Sequence, residues 1–281
     1  MKFQAISIFL FLVICVKGLS QDTYDSLRVV KVLTFNIYHG ATMKGDFNLD
    51  YIAGIIKDAD PDLVALQEVD FRTVRARGYD LATELGWRVK MAPLFAAAMG
   101  FDGGEYGEGI LSRYSYIATR NVPLPYSVDR EPRTALGAIV RLSSGDTIMF
   151  IGTHLDHFED DTDRVMQAKR INEIFVPGLY PAVLAGDLNS IPGSLPIGIL
   201  EEVWGSSYDR VTPAPTFPSG GPVRKIDYVM YYPADRWRVL STKVICDSVA
   251  SDHCAYLVTL TLSGISTLNN GEAQYEGETE Q

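Results

Sequence analysis

The sequence lacks the residues and motifs that mark several common enzyme classes. It has three cysteines in 281 residues and no Cys-X-X-Cys pair, which excludes the usual spacing of zinc and dithiol sites. No Gly-X-Ser-X-Gly segment is present to form a nucleophile elbow. The glycine-rich stretch Gly100–Gly109 lacks the Lys-Ser/Thr ending of a phosphate-binding P-loop, so we interpret it as a flexible loop.

Positive charge is also scarce. Lys and Arg number 25 against 35 for Asp and Glu, and the formal net charge is −10. Such a surface repels a phosphate backbone, and no basic patch is wide enough for nonspecific duplex binding. Nucleic acid is therefore disfavoured as a partner, although a bound divalent cation can reverse the field locally. The 47% hydrophobic and 21% charged content is that of an ordinary globular protein.

A sustained hydrophobic run occurs at the N-terminus, and it is too short to span a bilayer. It covers Ala5–Val16, follows a lysine and precedes small residues at cleavage spacing. We therefore predict that residues 1–20 are a signal peptide and that the protein is exported to a periplasmic, extracellular or surface location. Loss of Lys2 and Lys17 with this segment changes the formal charge from −10 to −12. No transmembrane segment is expected in the mature chain.

The three cysteines carry little information by position. Cys15 lies in the sequence LVIC, but bulky Ile14 precedes it, so we do not expect a lipid anchor there. Cys246 and Cys254 remain in the exported chain. An oxidising compartment permits a disulfide between them, and their spacing leaves the question open.

Apolar runs of strand length recur along the chain, while amphipathic helices are few. Strands are predicted at Val29–Phe35, Leu63–Gln67, Gly109–Ser112, Ala135–Leu142, Thr147–Thr153, Ala182–Gly186, Ile226–Tyr231, Trp237–Val244 and Ala255–Leu262. Helices are predicted at Leu49–Asp58 and Thr162–Val176. So few helices cannot cover both faces of a long parallel sheet. The pattern predicts an α+β protein, a four-layer α/β/β/α sandwich of two packed, mainly antiparallel sheets flanked by helices.

One domain is expected, since neither an internal repeat nor an interdomain linker interrupts the pattern. It spans residues 29–262, after an N-terminal lead at 21–28. Residues 263–281 form a polar, acidic tail whose composition predicts disorder.

Six polar clusters stand at the ends of apolar strands. They are TFNIYHG (34–40), LVALQEVD (63–70), IGTHLDH (151–157), LAGDLNS (184–190), RKIDYVM (224–230) and SDHC (251–254). Each cluster alone is most often a turn or a solvated strand end, but six of them indicate a site at one edge of a layered fold. Their Asn, Glu and Asp oxygens suit Mg²⁺, with Mn²⁺ or Ca²⁺ as alternatives. This inventory favours metal-assisted attack of water on a phosphate ester.

The order N-I-Y-H, Q-E-V, G-T-H-L-D, G-D-L-N, I-D-Y and S-D-H resembles the endonuclease/exonuclease/phosphatase superfamily. This group contains DNase I-like nucleases, inositol-phosphate phosphatases and bacterial sphingomyelinases, and the resemblance covers about residues 29–262. It implies a metal-dependent phosphoric ester hydrolase with a DNase I-like fold.

The resemblance also implies roles for individual residues. The metal ligands are Glu68, supported by Asn36 and Asp252. The catalytic residues are His154, which contacts the scissile phosphate, Asp187 and Asn189, which position water and stabilise the pentavalent phosphorus, and His253, which Asp227 orients. The sequence leaves open whether Asp187 or His253 takes the proton from water.

Four further residues are predicted to bind substrate: His39, Tyr106, Arg133 and Arg164. His39 is typical of secreted bacterial members of the group, and its alternative role is a strand-end histidine bonded to backbone. His157 and Asp156 either line the site or begin the acidic loop HFEDDTD, which is a solvated face or a calcium site. The segment Phe95–Gly109 forms either a mobile rim over the ligand or a plain loop.

Three functions compete at this point. The leading hypothesis is an exported Mg²⁺-dependent phosphodiesterase or phosphomonoesterase for a small or lipid-headgroup phosphate ester. An extracellular nuclease requires basic loops, for which Arg72, Arg75 and Arg77 are the densest candidates. A non-catalytic binding protein on the same scaffold would have lost metal or histidine positions, and all the principal ones are present.

Overall fold

Two six-stranded β-sheets stack face to face in the computed structural model, which describes residues 28–263. The strands are β1 (Val29–Asn36), β2 (Leu63–Phe71), β3 (Ala92–Phe101), β4 (Gly104–Ser112), β5 (Tyr116–Pro123), β6 (Thr134–Arg141), β7 (Thr147–His154), β8 (Ala182–Asp187), β9 (Gly205–Ser206), β10 (Asp227–Tyr232), β11 (Trp237–Ile245) and β12 (Ala255–Leu262). The sheet orders are β11-β12-β1-β2-β4-β3 and β5-β6-β7-β8-β10-β9. Only the central pairs β1–β2 and β7–β8 run parallel within these sheets.

Four α-helices flank the two sheets. They are α1 (Leu49–Ala59), α2 (Leu81–Val89), α3 (Thr162–Phe175) and α4 (Leu195–Glu201). Single turns of 3-10 helix lie at Tyr38–Gly40 and Ala234–Arg236. Helices α1 and α3 each connect the two strands of a parallel pair, as such crossovers require. The predicted four-layer sandwich of mainly antiparallel sheets is confirmed.

Three apolar layers hold the sandwich together, one between the sheets and one under each pair of helices. Successive residues of a strand point to opposite faces, so in β1 Val32 enters the layer between the sheets and Leu33 the layer under α1 and α2. The layer under α3 and α4 includes Ile151 and Ile171. Central strands are therefore apolar on both faces, and polar residues concentrate where these strands end.

The glycine-rich segment is a β-hairpin, so its interpretation as a loop is wrong. Strands β3 and β4 pair along their length and turn at Asp102 and Gly103, which have φ angles of 47° and 80°. A Cβ atom on Gly107 would lie 2.0 Å from the carbonyl oxygen of Ala96. Gly107 thus permits close packing of two strands rather than flexibility.

The sequence analysis also missed α2, α4, β3, β5 and β9. Helix α2 does have a local start signal, because the Asp80 side chain accepts a hydrogen bond from Thr83 N at 3.1 Å. The helix has only nine residues and contains Gly86, which weakens its periodic pattern.

Several predictions concern residues outside the described range. The signal peptide, the lipid-anchor question at Cys15 and nearly all of the acidic tail lie there. Within residues 28–263, no helix is both long and apolar enough to cross a membrane. Cys246 and Cys254 form a disulfide at the base of the loop between β11 and β12, which answers the question that their spacing left open.

Candidate active site

The six polar clusters meet at one edge of the sandwich. Strands β1, β2, β7 and β8 point their carboxyl ends to this edge, and the antiparallel strands β10 and β12 begin there. The pairing places Asp187 opposite both His154 and Asp227. The topology therefore brings together residues that are distant in sequence.

A chain of close polar contacts between Asp227, His253 and Asp187 forms the centre of the site. His253 Nδ1 lies 3.1 Å from both carboxylate oxygens of Asp227. Its Nε2 lies 3.5 Å from Asp187 Oδ2. The imidazole also packs on Phe217, with a centroid distance of 4.8 Å. Three contacts on different sides of the ring fix its position.

The pKa values of this chain follow from burial and charge. Burial raises the pKa of Asp187 to about 7, although the neighbouring His253 opposes the rise. Burial lowers the pKa of His253, but the carboxylates of Asp227 and Asp187 outweigh it and raise the value to about 10. At neutral pH the proton therefore resides on the imidazole, between two carboxyl groups.

Glu68 is turned toward the site by a bulge in β2. The pairing of β2 with β4 shifts register between Leu66 and Val69, and Glu68 has a φ of 57°. A non-glycine residue in this left-handed region is strained, and such strain is common at functional sites. Burial disfavours the Glu68 carboxylate, but His39 and Asn36 hold its pKa below the usual value.

Asn36 donates to both carboxylates of the site. Its Nδ2 lies 3.1 Å from Glu68 Oε1 and 3.3 Å from Asp187 Oδ2. Its Oδ1 accepts from the backbone N of Tyr38 at 3.1 Å, and this contact orients the amide. In this orientation the nitrogen faces Glu68, so the predicted role of Asn36 as a metal ligand requires the amide to rotate.

Glu68 and Asp252 together fit a hard divalent cation. Both line the same cleft. Burial raises the pKa of Asp252, His253 opposes this, and the charge of Glu68 adds to the rise. Two carboxylates that repel each other across a partly wet cleft are stabilised by a cation between them, and their oxygens are ligands that Mg²⁺ prefers.

Asp187, Asp227 and His253 are a second arrangement with metal-ligand atoms, which all lie within 4.8 Å of one another. The Nδ1–H of the imidazole already donates to the Asp227 carboxylate. The cluster is therefore arranged for proton transfer, whereas Glu68 and Asp252 supply only oxygen donors.

His154 lies at the end of β7 and is buried, with 3% exposure. Its Nδ1 lies 2.8 Å from Arg133 Nη1, and its Nε2 lies 3.0 Å from Asn189 Nδ2. Burial and the Arg133 charge hold the pKa of His154 well below 6.5, so the ring is neutral. Asn189 has a φ of 47°, a conformation that asparagine tolerates better than most residues.

A cleft of about 430 Å³ opens over these residues. All four histidines of the chain line it: His39, His154, His157 and His253. Predicted site residues that also line it are Glu68, Tyr106, Arg133, Asp187, Asn189 and Asp252. Its volume falls within the usual range of small-molecule sites.

His39 is not bonded to backbone, the alternative that the sequence left open. Its Nδ1 lies 3.5 Å from Glu68 Oε2 and makes no hydrogen bond within the described chain. Both His39 and the preceding Tyr38 have positive φ angles, 45° and 46°. This strained turn places the imidazole at the cleft.

Arg164, which the sequence predicts to bind substrate, is engaged by the protein itself. Its Nη1 donates to the carbonyl oxygens of Asp156 and Phe158, and its guanidinium also contacts Asp161. Arg164 therefore holds the acidic loop in shape and does not line the cleft.

The carboxylates of the acidic loop make structural contacts. Asp163 accepts from Ser127 N at 2.9 Å, and Asp156 accepts from Phe158 N at 3.1 Å. His157, Phe158, Glu159, Asp160 and Thr162 are nevertheless exposed, so most of the loop is a solvated face. The cleft also contains Phe217, which the sequence analysis missed because it follows no strand end, and Arg224, the first residue of the cluster RKIDYVM.

Solved structures with the same fold come from bacteria and from humans. A Beutenbergia cavernae endonuclease/exonuclease/phosphatase has a TM-score of 0.68 and 22% identity over 84% of this chain and 72% of that chain. A Bacteroides thetaiotaomicron mannosyl-6-phosphatase has a TM-score of 0.67 and 18% identity, over 83% of this chain and 100% of that chain. The catalytic domain of human Nocturnin with bound sulfate has a TM-score of 0.66 and 19% identity, over 84% and 94%.

The sequence itself matches one family profile, described as the endonuclease/exonuclease/phosphatase family, over residues 33–253. This range runs from β1 to His253 and includes the six polar clusters, apart from Cys254 at the end of the last one. Together with the fold and the arrangement of these clusters, this match shows that the chain belongs to the endonuclease/exonuclease/phosphatase family.

Proposed function

We propose that this protein is an exported, Mg²⁺-dependent phosphoester hydrolase for a small or lipid-linked phosphate ester. The observation that carries the proposal is the convergence of Glu68, Asp252, Asp187 and His253 on one cleft. Oxygen ligands, an imidazole between two carboxylates and hydrogen-bond donors are the parts that hydrolysis of a phosphate ester requires. Phosphoester hydrolysis is also the chemistry of the family.

Magnesium held by Glu68 and Asp252 would supply positive charge for the phosphoryl oxygens and acidify a bound water. Asp187, whose pKa burial raises to about 7, takes a proton from the attacking water. Asn189 and His154 donate hydrogen bonds to the developing oxyanion. As the ester P–O bond breaks, the His253 imidazolium gives its proton to the leaving alcohol. The 3.5 Å contact between Asp187 Oδ2 and His253 Nε2 allows a proton to return to the imidazole.

Features of the cleft and the surface support a small substrate. The volume of about 430 Å³ accommodates a phosphate and a compact alcohol. The formal charge of −10 opposes binding of a nucleic acid. The similar fold of a mannosyl-6-phosphatase supports a phosphomonoester as one candidate. The disulfide between Cys246 and Cys254 is consistent with an oxidising compartment and so with export.

A direct assay tests the proposal. Purified protein should hydrolyse p-nitrophenyl phosphate or bis-p-nitrophenyl phosphate with Mg²⁺ and lose that activity with EDTA. Glu68→Gln should abolish the Mg²⁺-dependent rate, whereas Glu173→Gln on the outer surface of α3 should not change it. Faster nicking of plasmid DNA than of either ester would favour a nuclease. Ligand binding without hydrolysis under any divalent metal would favour a binding protein.

A further inference from the structure

A buried guanidinium lies between two imidazoles at the wall of the cleft. Arg133 stands just before β6 and is 3% exposed. Its Nη1 lies 2.8 Å from His154 Nδ1, and its Nη2 lies 3.1 Å from His157 Nδ1. One arginine therefore contacts the same ring nitrogen of two histidines.

The chemistry of arginine fixes the proton positions on both rings. A guanidinium has five N–H donors and no acceptor. The Nδ1 atoms of His154 and His157 must therefore accept these hydrogen bonds with their lone pairs. A neutral imidazole that accepts at Nδ1 carries its hydrogen at Nε2. The contact thus makes each ring an Nε2–H donor.

This proton position gives His154 a function at the phosphate. Its Nε2 lies 3.0 Å from Asn189 Nδ2 and 3.4 Å from Asp187 Oδ2. Asn189 Nδ2 is itself held by the carbonyl oxygen of Leu155 at 3.0 Å. Two N–H donors this close repel each other unless an acceptor lies between them, and a phosphoryl oxygen of the substrate would supply that acceptor.

The remaining contacts of Arg133 point to the protein rather than to a ligand. Its Nη1 lies 3.3 Å from Glu131 Oε1 and 3.5 Å from the hydroxyl of Tyr106. Each terminal nitrogen is thus already engaged. The two imidazole contacts use Nη1 and Nη2, whereas Nε makes no hydrogen bond within the described chain.

We propose that Arg133 is a positioning residue that fixes His154 and His157 as Nε2–H donors directed at the oxyanion of the substrate. The inference rests on the proposed phosphoester hydrolysis for its purpose, but the proton positions that it assigns do not depend on activity. In this proposal Arg133 acts on the substrate through His154 and His157 and not by a direct contact.

Nitrogen NMR on ¹⁵N-histidine-labelled protein tests the assigned proton positions. The chain has only four histidines, so His154→Gln and His157→Gln variants assign the spectrum. We expect protonated Nε2 and unprotonated Nδ1 for both residues in the wild type. Arg133→Met should convert at least one ring to a mixture of tautomers. A proton on Nδ1 of His154 in the wild type would overturn the proposal.

A kinetic cycle distinguishes positioning from direct contact. Arg133→Lys keeps the charge but cannot bridge two rings, so kcat should fall about tenfold or more with little change in KM. In a His154→Ala/His157→Ala background, Arg133→Lys should lower kcat by less than about twofold, because the two imidazoles that Arg133 contacts are absent. An equal loss in both backgrounds would show direct substrate binding and overturn the inference.

Two controls keep the results interpretable. Arg133→Gln retains one donor group and replaces Arg133→Lys if circular dichroism shows that the lysine variant is unfolded. Arg238→Ala, an exposed substitution on β11, should leave both the spectrum and the rates unchanged. If the expected proton positions are found in a protein without phosphoesterase activity, the proposed function fails while the assignment of Arg133 as the residue that fixes both rings stands.

Discussion

His253 Nδ1 lies 3.1 Å from both carboxylate oxygens of Asp227, a residue 26 positions earlier in the chain. Asp227 begins β10, and His253 stands just before β12 in the other sheet. The contact therefore joins the two sheets of the sandwich at the edge where the cleft opens. Asp227 orients the imidazole through these contacts. The carboxylates of Asp227 and Asp187 lie on two sides of the ring and together stabilise its charged form.

This contact predicts different outcomes for two substitutions. His253→Ala should lower kcat at least about a hundredfold, since it removes the positioned acid. Asp227→Asn should also lower kcat, because an amide holds the ring but no longer favours the imidazolium. Steady-state rates with bis-p-nitrophenyl phosphate and Mg²⁺ measure both effects. Near-wild-type rates for His253→Ala, in a protein with native circular dichroism, would refute the assigned role.

The pH dependence of the rate should be bell-shaped. Asp187 must be ionised to accept a proton, so kcat/KM should rise with pH through about 7, the value to which burial raises its pKa. His253 must be protonated to act as the acid, so the rate should fall as pH passes about 10. The two values belong to an interacting pair rather than to separate groups.

The pH–rate profile of a variant shows which residue is responsible for the acidic limb and which for the alkaline limb. Asp227→Asn removes the largest influence that raises the pKa of His253, so its alkaline limb should move to lower pH. The acidic limb should move much less. An alkaline limb that stays in place in Asp227→Asn would assign that limb to another group.

The sequence predicted the sandwich because strand periodicity and amphipathic helices are local properties. The hairpin of β3 and β4 was missed for a non-local reason. Glycines at positions 104 and 107 resemble a loop in sequence, yet a Cβ atom on either one would collide with backbone of β2 or β3. Only the partner strands show why glycine is needed.

The site shows the same division between local and non-local information. The strand-end clusters gave most of the residues that meet in the cleft, because sheet edges gather strand ends. Arg133 and Arg164 look alike in sequence, as single arginines beside polar neighbours. One lies between two imidazoles and the other binds the carbonyl oxygens of a loop. Tertiary contacts decide between such roles.

The disulfide should support the loop that carries Asp252 and His253. Cys246 and Cys254 close this loop at a separation of 8 residues. Replacing both with serine should lower the free energy of unfolding by about 2.5 kcal/mol, in the chain-entropy account of loop closure. It should also lower kcat, because the loop then depends on hydrogen bonds such as Ser251 Oγ to Asn36 O, 2.7 Å long. Denaturant titration and steady-state kinetics measure the two effects.

A reductant provides the matched control for this prediction. Cys246 is exposed, so a dithiol reaches the bond and converts it to two thiols. Dithiothreitol should lower the activity of the wild type and have no effect on the double serine variant. Full activity of the reduced wild type, with loss of the disulfide verified by thiol titration, would contradict a role for the bond in positioning His253.

A buried lysine should make stability depend on pH in an unusual direction. Lys225 is 3% exposed, and its Nζ has no hydrogen-bond partner within the described chain. Burial lowers its pKa from 10.5 to about 7, although Asp227 opposes this. Between these values the unfolded chain binds a proton that the folded chain does not. Stability therefore rises with pH from about 7 to 10.5, by up to about 1.4 kcal/mol per unit.

Lys225→Met tests this relation, since methionine has a similar length and no charge. We expect the variant to be more stable than the wild type at pH 7, with a difference that shrinks as pH rises toward 10.5. Urea unfolding of both proteins over this pH range measures the difference in the free energy of unfolding. The contributions of the other titrating groups cancel in this difference. The ring of Tyr256 lies 3.3 Å from Nζ and favours the ammonium form. A difference that stays constant with pH would mean that this ring keeps Lys225 charged in the folded protein.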